Sequence, residues 1–212
     1  MTIGLIGACV VAFIWQYLTG INSSANHFGM FPAAIAVNGE YYRLFTAMFL
    51  HGSLLHIGFN MYVLYMFGPQ LESVLGHLRF GLLYLLAGLG GSIASFWFSD
   101  PNVVSVGASG AIFGLMGAYI VIMHRLGNDT RQVIGLIGIN LVLGFVISGV
   151  DWRAHIGGLV TGALVAAIMA YAPARNRVLW QVIGVLGVFV LLIALTLVRD
   201  EALLAQFAGV VR

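Results

Sequence analysis

Ser109, His155, His56 and Asn60 are polar side chains in an otherwise apolar chain, and together they could support acyl transfer. A serine hydroxyl becomes an effective nucleophile when a nearby histidine takes its proton as a general base. Imidazole and carboxamide N–H groups can stabilise the oxyanion that forms when an acyl carbon is attacked. The backbone N–H groups of the turn at residues 107–109, which opens an apolar helix, can do the same. These residue types favour acyl transfer, with hydrolysis of an amide as the natural reaction.

Each of these polar residues also has an alternative explanation. Small residues let membrane helices pack closely, so Ser109 could be a packing residue, and the histidines could be hydrogen-bonded packing groups. His51, His56 and His155 could instead converge on a metal ion, although no carboxylate or thiol accompanies them inside an apolar segment. A transporter would more often have broken helices and charges at mid-membrane. The residues alone leave these explanations open.

The composition identifies the class of protein. The 212 residues are 61% hydrophobic and only 8% charged, and a soluble domain of this size needs far more charge on its surface. The apolar residues fall in blocks of roughly the 20 residues that a helix needs to cross a bilayer. We therefore predict an all-α, polytopic membrane protein. The net charge of +2 is too small and too scattered to indicate a nucleic-acid partner, and the single cysteine, Cys9, cannot form a disulfide within the chain.

Seven apolar segments predict membrane helices, at about 3–18, 54–67, 78–98, 109–125, 132–147, 152–171 and 178–198. The first lacks a basic leading region and a clear cleavage site, so we interpret it as a membrane span and not as a removed signal peptide. The second ends at Gly68-Pro69, which we interpret as a stop signal. The connector at 19–50 has the aromatic and apolar content of a segment that lies in the membrane interface.

The order of the segments brings the polar residues to one level. The second, fourth and sixth segments run in the same direction across the membrane, and His56, Asn60, Ser109 and His155 all lie in their early turns. We therefore expect these four side chains at similar depth, near one face. Residues 148–151 lead into the sixth segment, and we interpret Asp151 as the cap of that helix rather than as a carboxylate that orients His155.

The arginines predict the orientation. The larger group of arginines is predicted on one side of the membrane and consists of Arg79, Arg125, Arg131, Arg175 and Arg177. The smaller group is predicted on the other side and consists of Arg43, Arg153, Arg199 and Arg212. Under the positive-inside tendency, the larger group and the short N-terminus are predicted to face the cytoplasm.

Three motifs in this chain resemble those of the rhomboid intramembrane serine proteases. Residues 107–110, GASG, resemble the GxSG nucleophile motif, and residues 154–158, AHIGG, with Gly162 following, resemble the AHxGG motif. His51, His56 and Asn60 resemble the HxxxxHxxxN pattern. The three occur in the right order, and the likeness extends from the long connector through the sixth segment.

The resemblance implies a Ser109–His155 dyad without an aspartate, and an oxyanion hole made by His56, Asn60 and the Ser109 backbone N–H beside Gly107. It implies a six-helix bundle with a short central fourth helix, a first loop partly in the membrane and a water-filled cavity open to the outside. The substrates would be single-pass transmembrane helices cut near their outer end in a bacterial inner membrane. No metal or other cofactor is implied.

Under this interpretation, residues 1–212 form one transmembrane domain. Its core is 1–172, and the seventh helix at about 178–198 is an addition to that core.

Two positions depart from the family pattern. The family usually has Trp-Arg in its first loop, where this chain has Tyr42-Arg43, and often a tyrosine four residues after the serine, where this chain has Phe113. We expect the Phe113 ring to stack on His155 without the hydroxyl. Arg43 and His51 are further supporting residues, His51 by fixing the end of the long connector. The competing hypothesis is a non-enzymatic binder of membrane helices on the same scaffold, although Ser109 and His155 are both present.

Overall fold

A computed structural model of the protein describes residues 1–147 and 149–210, so Ser148 and Arg212 lie outside the described residues. Within them, all regular secondary structure is helical apart from one β-bridge between Met30 and Ser105. The helices are α1 Thr2–Thr19, α2 Ile21–Phe28, α3 Pro32–Asn38, α4 Arg43–Thr46, α5 Leu54–Leu75, α6 His77–Phe98, α7 Ser109–Arg125, α8 Arg131–Val146, α9 Trp152–Tyr171 and α10 Arg177–Val210, with 3-10 turns at Ala47–Phe49 and Ala174–Asn176.

The prediction of an all-helical chain with several apolar helices is confirmed. Among the described residues, four helices are long and apolar enough to cross a membrane: α1, α6, α9 and the last helix. A fifth candidate joins Arg43–Phe49 to Leu54–Leu75 across an 89° bend, whereas α7 and α8 are apolar but shorter. All seven predicted segments are therefore helices, but seven membrane crossings stay a prediction.

The expected end of the second segment at Gly68-Pro69 is wrong. Helix α5 continues to Leu75 with Pro69 inside it. Proline removes one backbone hydrogen bond, which membrane helices tolerate when their neighbours compensate. Gly68 serves as a contact with α1, because a Cβ added there would lie 2.5 Å from Cγ2 of Thr2.

The last helix is also longer than the expected 178–198, since α10 runs for 34 residues to Val210. Arg199 and Asp200 have partners that hold this part of the helix to the rest of the bundle. Arg199 Nε donates to the carbonyl of Phe96 at 3.0 Å, and the Tyr41 hydroxyl donates to Asp200 at 2.6 Å. The described residues that follow the expected end at 198 are therefore helix, packed against α6 and the long connector.

The long connector folds around Arg43. This side chain is 5% exposed, and its Nη1 atom donates to the carbonyls of Asn26 at 2.9 Å and Gly29 at 3.0 Å. Its Nε atom donates to the Glu40 carboxylate. A buried guanidinium needs such partners, because an unpaired buried charge is costly. Arg43 thus supports the fold of the loop.

Close packing of α7 against α9 forms the centre of the bundle, and α6 packs against both of these helices. Glycines make this approach possible. A Cβ added at Gly158 would lie 1.9 Å from the carbonyl oxygen of Gly110, and one at Gly162 would lie 2.2 Å from that of Gly114. The two backbones are therefore in direct contact, as small residues permit in membrane helices.

We expect Gly162→Ala to destabilise the protein by about 1–3 kcal/mol, the usual cost of overpacking, because its methyl group would meet the backbone of α7. The matched control is Gly138→Ala in α8, where a new Cβ has no atom within 4 Å. Unfolding in mixed micelles with increasing fractions of SDS measures both. Equal stability of the two variants would contradict this account of the packing.

Candidate active site

Ser109 is the first residue of α7, and its hydroxyl lies 2.9 Å from Nε2 of His155 in the first turn of α9. The α7–α9 contact continues beside them, since a Cβ at Gly110 would lie 3.2 Å from the carbonyl oxygen of Ala154. The structure therefore brings together the two residues that the sequence predicted as nucleophile and base. At this distance the imidazole can accept the serine proton directly.

The His155 ring is held by Phe113. The two rings are stacked, with centroids 4.2 Å apart and planes 9° from parallel. The expected stacking is therefore confirmed, and it orients the imidazole without a hydroxyl on the neighbouring ring. Nε2 accepts the Ser109 O–H in the neutral ring, so the ring proton is on Nδ1. Nδ1 is buried without a hydrogen-bond partner among the described residues, and a Cβ at Gly144 in α8 would lie 3.6 Å from it.

Asp151 caps the helix that carries His155. Its carboxylate accepts a hydrogen bond from the backbone N–H of Ala154 at 3.2 Å, which confirms the predicted cap. The Ser95 hydroxyl of α6 donates to the same carboxylate and lies 3.0 Å from the Ser99 hydroxyl. Ser95 was not among the residues predicted from the sequence to support the site. The signal was available, because Ser92, Ser95 and Ser99 recur on one side of an apolar helix.

His56 presents Nε2 to the turn before Ser109. Its Nδ1 atom accepts from the backbone N–H of Gly52 at 3.3 Å, so the proton of the neutral ring is on Nε2. A Cβ at Gly107 would lie 2.9 Å from this Nε2, and Gly107 has φ +144°. Glycine is required here twice, for its backbone conformation and for the space that the imidazole occupies.

The Gly107 N–H is not free to stabilise an oxyanion. It donates to the carbonyl of Ala47 at 2.9 Å, so the expectation that this group contributes to an oxyanion hole is wrong. Gly107 contributes by having no side chain. Ser109 begins α7, and the first N–H groups of a helix have no intrahelical acceptor, so the Ser109 N–H is an available backbone donor.

Asn60 and His51 surround His56. The side-chain nitrogen of Asn60 donates to the His56 carbonyl at 2.8 Å, which leaves its second N–H for another acceptor. The His51 ring is fully buried and meets the His56 ring edge-on, with centroids 5.1 Å apart. The backbone N–H of His51 donates to Oε1 of Gln16 in α1 at 2.9 Å, a contact that the sequence reading did not find. His51 thus fixes the end of the long connector beside α5.

Residues 1–147 and 149–210 contain no ligand set for the metal site considered as an alternative. No three side chains of the histidine, cysteine, aspartate and glutamate types come together there as a cluster that could hold an ion.

Comparison with known proteins identifies similar chains. Residues 38–172 match the family model described as the Rhomboid domain. Rhomboid protease GluP of Bacillus subtilis (strain 168) is 41% identical over 152 residues, which cover 69% of this chain and 30% of that protein. The mitochondrial RHOMBOID-like protein 6 of Arabidopsis thaliana is 40% identical over 148 residues, 66% of this chain and 47% of that protein. YdcA of Bacillus subtilis (strain 168) is 37% identical over 144 residues, 66% of this chain and 72% of that protein. The chain thus spans less than half the length of the first two relatives.

Removal of the α9 cap should weaken the fold around His155. We expect Asp151→Ala to destabilise the protein by about 1 kcal/mol, because both the backbone N–H of Ala154 and the Ser95 hydroxyl lose their acceptor. Asp151→Asn is the matched variant, since its side-chain oxygen can still accept, and most of the stability should remain. Thermal unfolding in detergent measures both. A stable alanine variant, or an asparagine variant as unstable as alanine, would contradict the assigned role.

Proposed function

Because the chain belongs to the rhomboid family, we propose that this integral membrane protein is an intramembrane serine protease with a Ser109–His155 dyad. The observation that carries the proposal is the 2.9 Å hydrogen bond between the Ser109 hydroxyl and Nε2 of His155. The proposed dyad has no orienting carboxylate. Asp151 is engaged in capping α9, and the His155 ring is oriented instead by stacking on Phe113.

In the proposed reaction, Oγ of Ser109 attacks the carbonyl carbon of the scissile peptide bond while Nε2 of His155 takes the hydroxyl proton. The C–N bond then breaks, and the imidazolium returns that proton to the leaving amine. The acyl group stays on Ser109 as an ester. A water molecule then attacks the ester carbonyl carbon while His155 takes one of its protons. The bond between the acyl carbon and Oγ breaks, His155 returns the proton to Oγ, and the new carboxyl end of the substrate leaves.

The negative oxygen of the tetrahedral intermediate needs donors that are already in place. We assign this role to the Ser109 backbone N–H, to Nε2–H of His56 and to the second side-chain N–H of Asn60. The support for His56 is its proton position, since Gly52 fixes Nδ1 as an acceptor and Nε2 faces the Gly107 turn.

The hydrolytic step needs water at an otherwise apolar level. A cavity of about 20 Å³ lies beside Gly107 and is lined in part by Ser92, Ser95 and Ser105. A space of this size can hold one water molecule, and hydroxyl groups provide its hydrogen-bond partners. We infer that water reaches the serine from the same face, through a cavity open to the outside.

The substrates are single-pass transmembrane helices cut near the outer face of a bacterial inner membrane. Ser109 lies at the start of α7, opposite the end where Arg79, Arg125 and Arg177 line one cavity. The positive-inside tendency places that arginine-rich end in the cytoplasm and therefore places Ser109 toward the outside. All seven apolar helices then cross or enter the bilayer, six in the core and one added as α10.

Substrate entry requires an element that can move. Helix α8 has only Ile137 and Gly144 buried along its length, in contrast to the largely buried α7. Few buried contacts make an element easy to displace. We therefore assign the gating of substrate entry to α8.

Replacing the nucleophile should abolish cleavage. We expect Ser109→Ala to lose activity by about a thousandfold or more, because neither attack nor acyl-enzyme formation remains possible. The measurement is cleavage of a model transmembrane substrate in liposomes, together with covalent labelling by a fluorophosphonate probe. Ser73→Ala, at an exposed serine bonded within its own helix, is the control and should keep both signals.

Two outcomes would contradict this proposal. Cleavage that survives in Ser109→Ala would identify another nucleophile or a contaminating protease. Absence of both cleavage and probe labelling in the native protein, across several substrates, would favour the non-enzymatic helix binder.

The stacked ring beside His155 should affect the rate. We expect Phe113→Leu to lower kcat/KM by about three- to tenfold, because an aromatic pair contributes roughly 0.5–1.5 kcal/mol to the orientation of the base. Phe113→Tyr keeps the ring and should remain close to the native rate. A leucine variant with native kcat/KM and unchanged stability would show that stacking does not position His155.

A further inference from the structure

A cavity lined by three arginines lies at the end of the bundle away from Ser109. It has a volume of about 170 Å³ and is lined by the side chains of Arg79, Arg125 and Arg177. Among the described residues, none of these arginines forms an ion pair with a carboxylate. Glu72 lies at the same end but lines no part of the cavity, and its carboxylate is bonded to Thr2 and His77. Three positive charges therefore face one space without compensation from the protein.

Two of the three guanidinium groups are held in place by neighbours. The Arg79 Nε atom donates to Oε1 of Gln181 at 3.0 Å, and the buried Gln181 in turn donates to the carbonyl of Met169 at 2.8 Å. The Arg125 guanidinium lies over the Tyr171 ring, 4.7 Å from its centroid. These contacts position the charges and leave most of their N–H donors free. Guanidinium groups held in this way are suited to binding a phosphate group.

An apolar groove continues from this cavity along the surface between α6 and α10. It has a volume of about 550 Å³ and shares Arg79 and Gln181 with the arginine cavity. Its walls carry aliphatic side chains, of which Leu78 is 74% exposed and Leu186 is 55% exposed. Exposed aliphatic walls of this kind are suited to contact with lipid hydrocarbon. The combined space has a cationic end and a long apolar part, which is the chemical pattern of a lipid.

We propose that the arginine cavity and the α6–α10 groove together bind one anionic phospholipid. Its phosphate group contacts Arg79, Arg125 and Arg177, and one acyl chain lies along the groove. Basic pockets between membrane helices on the cytoplasmic side are suited to anionic headgroups, and that leaflet contains anionic lipids. The attached groove favours a lipid over a soluble phosphate, because a soluble anion would leave the aliphatic walls uncovered. The bound lipid would join α6, α7 and α10 at their cytoplasmic ends.

The charged part of the site is tested by lipid binding to the full chain in detergent micelles. Native mass spectrometry measures retained phosphatidylglycerol, with phosphatidylcholine as the neutral comparison. We expect Arg79→Gln/Arg177→Gln to weaken phosphatidylglycerol binding by about fivefold for each arginine, and to leave phosphatidylcholine unchanged. The control removes the same charge at arginines of the same end that do not line the cavity, Arg131→Gln/Arg175→Gln. If the double variant is poorly folded, Arg177→Gln alone serves, because Arg177 makes no side-chain hydrogen bond to the described residues.

The groove is tested separately. Leu186→Trp fills it with all arginines retained and should weaken phosphatidylglycerol binding, whereas Leu191→Trp, at a similarly exposed position of α10 outside the groove, should not. Equal losses in the cavity variant and its charge control would overturn the proposal in favour of a diffuse surface charge. Competition by millimolar inorganic phosphate, with no effect of Leu186→Trp, would identify a soluble anion as the ligand and overturn it as well. None of these measurements depends on cleavage, so the proposed protease activity can fail while this site stands.

Discussion

The backbone contact between α7 and α9 is the constraint on which the rest of the structure depends. Ser109 and His155 are on different helices, and a hydrogen bond of 2.9 Å between them requires those helices to be closer than side chains of ordinary size allow. Gly158 and Gly162 meet the carbonyl oxygens of Gly110 and Gly114, so the approach is limited by the backbones themselves. In a bilayer, where burial of apolar surface between helices adds little, such packing is the main source of association. The same contact therefore stabilises the bundle and brings the Ser109 hydroxyl to Nε2 of His155.

The polar groups of the site are oriented mainly by backbone atoms and by hydroxyls of neighbouring helices. The N–H of Gly52 fixes the ring of His56, the carboxylate of Asp151 fixes the start of α9, and Gln16 holds the segment that carries His51. An unpartnered polar group is costly in this environment, so each partner restricts conformation as well as adding stability. Among the described residues of the site, Nδ1 of His155 and both ring nitrogens of His51 are buried without such a partner. Stacking on Phe113 supplies the orientation that a hydrogen bond at Nδ1 of His155 would otherwise give.

The two ends of the bundle differ in chemistry. The end that carries Ser109 has histidines, an asparagine and serine hydroxyls, several of which are hydrogen-bonded to one another or to backbone groups. The opposite end has arginines without carboxylate partners around an open cavity. Helix α10 contributes to both ends, since Arg177 lines the cavity and Arg199 bonds to the carbonyl of Phe96 at the far end of α6. The helix that looked like an appendage in the sequence is thus packed along the length of α6.

The sequence by itself determined the class of protein and the existence of the helical segments, and it pointed to the polar residues that meet at the candidate site. Long apolar runs in a chain with little charge have no stable alternative to membrane helices, and the segment order alone placed His56, Ser109 and His155 near one face. The cap at Asp151 was also predictable, because capping depends on residues only three positions apart.

Only the tertiary structure decided the features that depend on contacts between distant segments. Pro69 is inside α5 and Arg199 is inside α10, because α1, α6 and the long connector supply contacts that local signals do not contain. The partner of the Gly107 N–H is the carbonyl of Ala47, and the bond between Ser95 and Asp151 joins α6 to α9. Hydrogen bonds of this kind connect groups that are far apart in the chain, and their geometry is set by the packing of whole helices. Periodicity and spacing record which face of a helix is apolar, but they do not record which atom of a neighbouring helix will meet it.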